Sequence, residues 1–70
     1  MLPLTFANVG EVNVIQRIGG NSATKQHLEN LGFVVGSRVT VLTLMGGNVI
    51  VKIKESRVAL SQELASKIMI

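Results

Sequence analysis

The sequence predicts a mainly β protein: a small five-stranded barrel with one α-helix inserted between the first and second strands and a short helical turn before the last strand. Two observations favour this fold class. Short segments with alternating apolar residues are separated by turns that contain glycine, as expected for half-buried strands. One longer segment has instead the apolar spacing of an amphipathic helix. The 70 residues form one predicted domain, residues 1–70, and an OB-type barrel is the alternative architecture.

The first strand is predicted from Glu11 to Ile18. Its residues alternate so that Val12 and Val14 lie on one side, and we expect that side to face the core. Ile15 then falls on the outer side of the barrel. Phe6, shortly before this strand, is expected to pack underneath it.

The predicted helix follows the Gly19-Gly20 break and continues to Leu31. Asn21 or Ser22 can cap it by accepting a backbone N–H of the first turn. The spacing of its apolar residues indicates a helix that lies on a core, and this face is formed by Thr24, Leu28 and Leu31.

The helix stop and the turn after it form the most informative segment. Gly32 stands where a helix ending at Leu31 needs a left-handed residue, and Phe33 can then pack back on Leu28. Gly36 turns the chain into the following strand.

The second strand, Arg38 to Met45, changes the phase of its alternation partway. Val39 and Val41 share one side before the change, and Leu42 and Leu44 share a side after it. Such a change predicts a β-bulge, which bends a short sheet towards closure.

Three further strands complete the predicted barrel. Gly46-Gly47 suits a tight hairpin turn into the strand 48–54. Segments 57–60 and 67–70 supply the last two strands. Ser61 caps the helical turn between them.

The segment from Leu31 to Leu42 reads LGFVVGSRVTVL, and Val9-Gly10-Glu11 precedes it. Together with Val58-Ala59-Leu60 downstream, these residues make the whole chain resemble the FeoA family, small cytosolic partners of the bacterial ferrous-iron transporter FeoB. The usual helix-to-strand step of that family is Leu-Gly-apolar-x-Pro-Gly, and Val35 stands here in the proline position. The resemblance implies an SH3-like barrel and a partner, the cytoplasmic GTP-binding part of FeoB.

Composition argues against catalysis and metal binding. The chain has one histidine and no cysteine. Ser22 and Ser61 stand at helix starts without a base and an acid in view, so capping explains them better than a catalytic triad. His27 has only Glu29 near it, whereas an iron or zinc site needs several converging ligands. We therefore predict no enzyme, no cofactor and no metal site.

Aromatic residues are scarce, and this argues against two kinds of barrel. Without tyrosine or tryptophan, the barrel lacks the groove that binds proline-rich peptides. Two phenylalanines are too few for a surface on which nucleic-acid bases stack.

A protein-interaction surface is the remaining candidate. The hydrophobic fraction is 47%, so some apolar side chains must stay exposed, and exposed apolar surface usually marks a contact site. The net charge of +3 favours acidic partners weakly. We expect apolar residues off the core face to dominate the affinity, with lysines at their rim. The predicted partner-binding residues are Ile15, Lys25, Leu42, Leu44, Ile50, Lys52 and Lys54. In the alternative that stays open, a second small core under the helix or the N-terminal segment covers the apolar members of this set.

The expected location is the cytoplasm, because the N-terminus lacks a basic segment followed by a long apolar run. No nucleic acid is expected as a partner, and a membrane only through the transporter. Two alternatives stay open. One is a basic RNA-binding barrel of SH3-like or OB-like type, which would show a steep salt dependence. The other is the regulatory SH3-like domain of a metal-dependent repressor, since a related barrel closes repressors of the diphtheria-toxin-repressor type.

Overall fold

The structure, a computed structural model, describes residues 1–70. Strands account for most of its regular elements. In chain order these are a 3-10 helix Leu4–Phe6, β1 Val12–Val14, β2 Arg17–Ile18, α1 Ser22–Asn30, β3 Arg38–Met45, β4 Asn48–Ile53, β5 Ser56–Ser61, α2 Gln62–Ala65 and β6 Ile68–Met69. Neither α-helix is long and apolar enough to cross a membrane.

The strands form two antiparallel sheets. The larger has the order β1-β3-β4-β5, and the smaller pairs β2 with β6. The predicted first strand, Glu11 to Ile18, is therefore two strands, and the barrel has six strands rather than five. The Ile15 N–H donates to the Ser37 carbonyl at 2.9 Å, and the Gln16 N–H donates to the Met69 carbonyl at 2.7 Å. Because these consecutive residues pair with different sheets, the chain bends between them and joins the two sheets into one barrel.

Helix α1 begins and ends as predicted. The Asn21 side chain accepts a hydrogen bond from the Thr24 N–H at 2.8 Å, so Asn21 is the N-cap. At the other end, the Gly32 N–H donates to the Glu29 carbonyl and the Phe33 N–H donates to the Leu28 carbonyl, both at 2.9 Å. With Gly32 at φ 103°, this is the hydrogen-bond pair of a Schellman stop.

The two predicted irregularities of the sheet are also present. The pairing of β3 with β4 shifts between Val41 and Thr43, which places a bulge at Leu42. Met45 pairs with Asn48 across a two-residue turn, and both turn glycines, Gly46-Gly47, have positive φ, as a type I′ hairpin requires.

The core lies between the two sheets and under α1. It contains only apolar side chains, and no buried side-chain nitrogen or oxygen lacks a hydrogen-bond partner. Its members are Leu4, Ile15, Leu28, Phe33, Val39, Val41, Val49, Val51, Ile53, Leu60, Ala65 and Ile68.

The predicted orientation of the first strand is wrong. Ile15 is 1% exposed, whereas Val12 and Val14 are 59% and 43% exposed. Asn13 pairs with the buried Val39, so the inward positions of this segment are Asn13 and Ile15. Alternation alone fits either assignment, because each side carries an apolar residue.

The predicted packing of Phe6 is also wrong. Its side chain is 69% exposed, at the last position of the 3-10 helix. Leu4, in the same turn, is the residue that enters the core. The helical turn therefore directs Leu4 rather than Phe6 inward.

Candidate binding surface

The face of the four-stranded sheet that points away from the core carries a group of exposed basic residues. Residues on this face are those that alternate with the buried positions of each strand. We call this surface the outer sheet face, and it comprises Val12, Val14, Arg38, Thr40, Ile50, Lys52, Arg57 and Ala59, with Lys54 at its end.

The register of the strands groups the basic residues. Thr40 pairs with Lys52, and Lys52 pairs on its other side with Arg57. Arg38 is two residues from Thr40 along β3, and Lys54 directly follows β4. These four basic residues therefore lie on neighbouring strands at one end of the face, out of seven in the chain.

A shallow cavity of about 290 Å³ opens on this part of the face. Its walls are Val12, Arg38, Thr40, Lys52 and Lys54. No carboxylate lines it, and none of the side-chain hydrogen bonds of the structure involves these basic residues. The cavity thus combines positive charge with one exposed valine.

Three of the predicted partner-binding residues lie on the outer sheet face. Lys52 and Lys54 are exposed, and Ile50 is half buried between Thr43 and Ala59. The expected arrangement of an apolar centre with a basic rim is not seen on this face, since the basic residues lie together at one end of it and the apolar Ile50 lies two residues from Lys52 on the same strand.

Two other predicted residues lie near the β3–β4 hairpin. Leu44 is 63% exposed and pairs with the buried Val49 close to the turn. Leu42 is half buried at the bulge. Leu44 is available to a partner, and Leu42 only in part.

The last two predicted residues do not belong to this surface. Ile15 is in the core, so its prediction as a partner contact is wrong. Lys25 lines a separate groove of about 430 Å³, formed by Gln16, Arg17, Ile18, Lys25, Glu29, Val34 and Val35. The two cavities share no lining residue.

Sequence reasoning missed Arg38 and Arg57 as members of the surface. A signal was present, because each of them directly precedes an inward valine, Val39 or Val58, in its strand. Val12 and Val14 were missed for another reason, namely the inverted orientation of their strand.

No group of three or more histidine, cysteine or acidic side chains is arranged to hold a metal ion. His27 is exposed on α1. The Ser61 hydroxyl accepts the Leu64 N–H at 3.1 Å, which accounts for this serine as the cap of α2. The absence of a metal site stays a prediction, which calorimetry can test.

Comparisons with known proteins agree with the observed fold. The crystal structure of an iron uptake regulatory protein, FeoA, superposes with a TM-score of 0.87 at 27% identity, covering 96% of this chain and 89% of that one. A zinc complex of Stenotrophomonas maltophilia FeoA, described as a prokaryotic SH3 domain protein, gives 0.84 at 23% identity over 99% and 88% of the two chains. The predicted SH3-like fold is confirmed.

The same fold occurs inside a longer protein. A manganese-dependent transcriptional repressor superposes with a TM-score of 0.85 at 23% identity, but the match covers 94% of this chain and only 38% of the repressor. At this identity the likeness shows the fold alone.

Sequence comparison gives the family. A relative from Methanocaldococcus jannaschii bears the name Fe(2+) transport protein A. It is 36% identical to this chain, and the match covers all of this chain and 85% of the relative. Residues 2–70 match the family described as the FeoA domain. The chain belongs to the FeoA family.

Proposed function

We propose that this chain is a cytoplasmic accessory protein of ferrous-iron transport, which binds the soluble GTP-binding domain of a FeoB-type transporter. Membership of the FeoA family supports the link to iron transport, as does the name of the 36% identical relative. The identity of the partner is inferred from the resemblance to FeoA proteins.

The protein would act by binding rather than by catalysis. A partner that binds one conformation of the transporter more tightly than another shifts the population towards that conformation. The chain needs no reactive group for this role, only a surface that recognises the transporter.

The outer sheet face is the surface that best suits this role, and the observation that carries the proposal is its group of exposed basic side chains without hydrogen-bonded partners. Within it we assign Ile50, Lys52 and Lys54 to the contact, with Leu42 and Leu44 at the hairpin end. Lys25 lies beside the other groove, so it provides the matched control.

Titration calorimetry between the full chain and the soluble domain of the transporter tests the proposal. We expect a saturable complex, weakened by Lys52→Ser and unchanged by Lys25→Ser, although each variant removes one exposed positive charge. Absence of binding, with the domain either free or loaded with GTP, would overturn the proposed function. Equal affinity of both variants for the domain would support the transporter as the partner but would show that the outer sheet face is not the contact surface.

A further inference from the structure

The outer sheet face contains an unusual backbone conformation. Lys54 has φ 55° and is the only residue other than glycine with a positive φ. It occupies the first position of the two-residue turn between Ile53 and Ser56, where glycine is normally preferred. This backbone conformation is unfavourable for a lysine, so it lowers the stability of the folded state.

The same face contains an unfavourable pair of charges. Lys52 lies directly opposite Arg57 on β5, and like charges in this relation destabilise a sheet. The cavity beside them adds Arg38 and Lys54 and no carboxylate. A Coulombic cost between these residues is relieved when an anionic group binds among them.

Two independent local features that disfavour folding thus coincide on one exposed surface. Residues in strained or mutually repulsive arrangements cluster at ligand-binding sites, because ligand binding keeps residues there that would be replaced if stability alone mattered. Because the face is positively charged and lacks a carboxylate in its cavity, its ligand is expected to be anionic.

We propose that the outer sheet face binds an extended acidic segment of a protein, whose carboxylates contact Arg38, Lys52, Lys54 and Arg57. The proposal rests on the proposed function and names the chemistry that the transporter would present. Along β4, side chains two residues apart on this face, such as Ile50 and Lys52, are separated by about 7 Å, and alternate side chains of an extended ligand have the same spacing. The exposed Val12 and Val14 border the basic group and can contact an apolar residue of the same segment.

Other anionic ligands fit this face less well. Single-stranded nucleic acid requires aromatic side chains for stacking, but Phe33 is buried and Phe6 is in the 3-10 helix. A lipid surface requires larger apolar residues that insert between headgroups, whereas the exposed large apolar residues of this face are two valines and its Ile50 is half buried. The mixture of basic and small apolar side chains suits a peptide.

A synthetic twelve-residue peptide that alternates glutamate with valine is the probe, titrated into the isotope-labelled full chain while amide shifts are recorded. We expect shifts confined to β1, β3, β4 and β5, and at least a tenfold weaker affinity for the same peptide with glutamine in place of glutamate. Equal affinity for both peptides, or shifts elsewhere on the barrel, would overturn the proposal.

Two variants of Lys54 separate charge from backbone conformation. Lys54→Gly and Lys54→Ser both remove the charge and should weaken binding of the glutamate peptide by the same factor. Only Lys54→Gly relieves the positive φ, so it alone should raise the melting temperature. A Lys54→Gly variant that binds the peptide as well as the parent chain would overturn the assignment of this residue.

The outcomes also distinguish the two proposals. If the chain binds the transporter domain but not the glutamate peptide, the proposed function is retained and the acidic segment is rejected as the ligand of this face. Tight binding of oligouridine, or of vesicles containing phosphatidylserine, with weaker binding of the peptide overturns the peptide as the ligand of this face.

Discussion

Replacing Gly32 tests the helix stop that directs the chain from α1 into the barrel. This residue has φ 103°, which side chains of L-residues rarely adopt. A Cβ atom at this position would lie 3.9 Å from Ile53 Cγ1, an ordinary contact, so the cost arises from the backbone alone. A left-handed conformation costs an L-residue about 1–2 kcal/mol, and a β-branched side chain brings the cost towards about 3 kcal/mol.

We therefore expect Gly32→Ala to lower the free energy of unfolding by about 1–2 kcal/mol and Gly32→Val by more. In a domain of this size, 1 kcal/mol corresponds to about 4–8 °C in melting temperature, so Gly32→Ala should melt about 4–16 °C lower. Thermal and urea unfolding followed by circular dichroism measure both quantities.

Gly19 provides the matched control for this substitution. It has no positive φ, and a Cβ atom there would lie 3.4 Å from the Lys67 carbonyl oxygen. Gly19→Ala should leave the melting temperature unchanged or raise it slightly, because alanine restricts the unfolded chain. A melting temperature of Gly32→Val equal to that of the parent chain would refute the reasoning.

Three further predictions concern single side chains. Val35 is exposed at the second position of a turn in which the Ser37 N–H donates to the Val34 carbonyl at 3.0 Å. Val35→Pro should therefore raise the free energy of unfolding, measured by urea denaturation, by about 0.4–1 kcal/mol. A loss of stability would show that the turn has another conformation. Phe33 is fully buried, and Phe33→Ala should cost about 3–5 kcal/mol, comparable with the whole stability of a 70-residue domain, so a chain that still unfolds at the parent's urea midpoint would contradict the core assignment. Calorimetry with Fe(2+) or Zn(2+) should show no stoichiometric site, and binding heat that disappears in His27→Ala would contradict this.

Local signals made much of the fold predictable. The helix stop at Gly32, the bulge at Leu42 and the hairpin at Gly46-Gly47 each depend on a few neighbouring residues. Glycine in a left-handed position and a change in alternation phase are physical requirements of the backbone. These features could therefore be placed before the tertiary structure was known.

The orientation of β1 depends on distant contacts and was not predictable in this way. Val12 and Val14 on one side compete with Asn13 and Ile15 on the other, and alternation does not choose between them. The choice follows from the bend after Ile15, where the chain leaves β3 and pairs with β6. That pairing joins residues at least fifty positions apart, so no local sequence pattern indicates it.

The candidate surface was predictable only in part for the same reason. Lys52 and Lys54 were identified from their position in a strand, but their grouping with Arg38 and Arg57 depends on the strand register. The turn at Lys54 gave no signal, because it lacks the glycine or asparagine that usually marks a positive φ.

Amide-shift mapping of the full chain against the soluble domain of a FeoB-type transporter tests the central claim most directly. The account predicts a saturable set of shifts in β3, β4 and β5, reduced by added salt and by Lys52→Ser. It predicts no shifts in α1 around Lys25. Shifts centred on α1 and the groove beside it, or no shifts at all, would contradict the account.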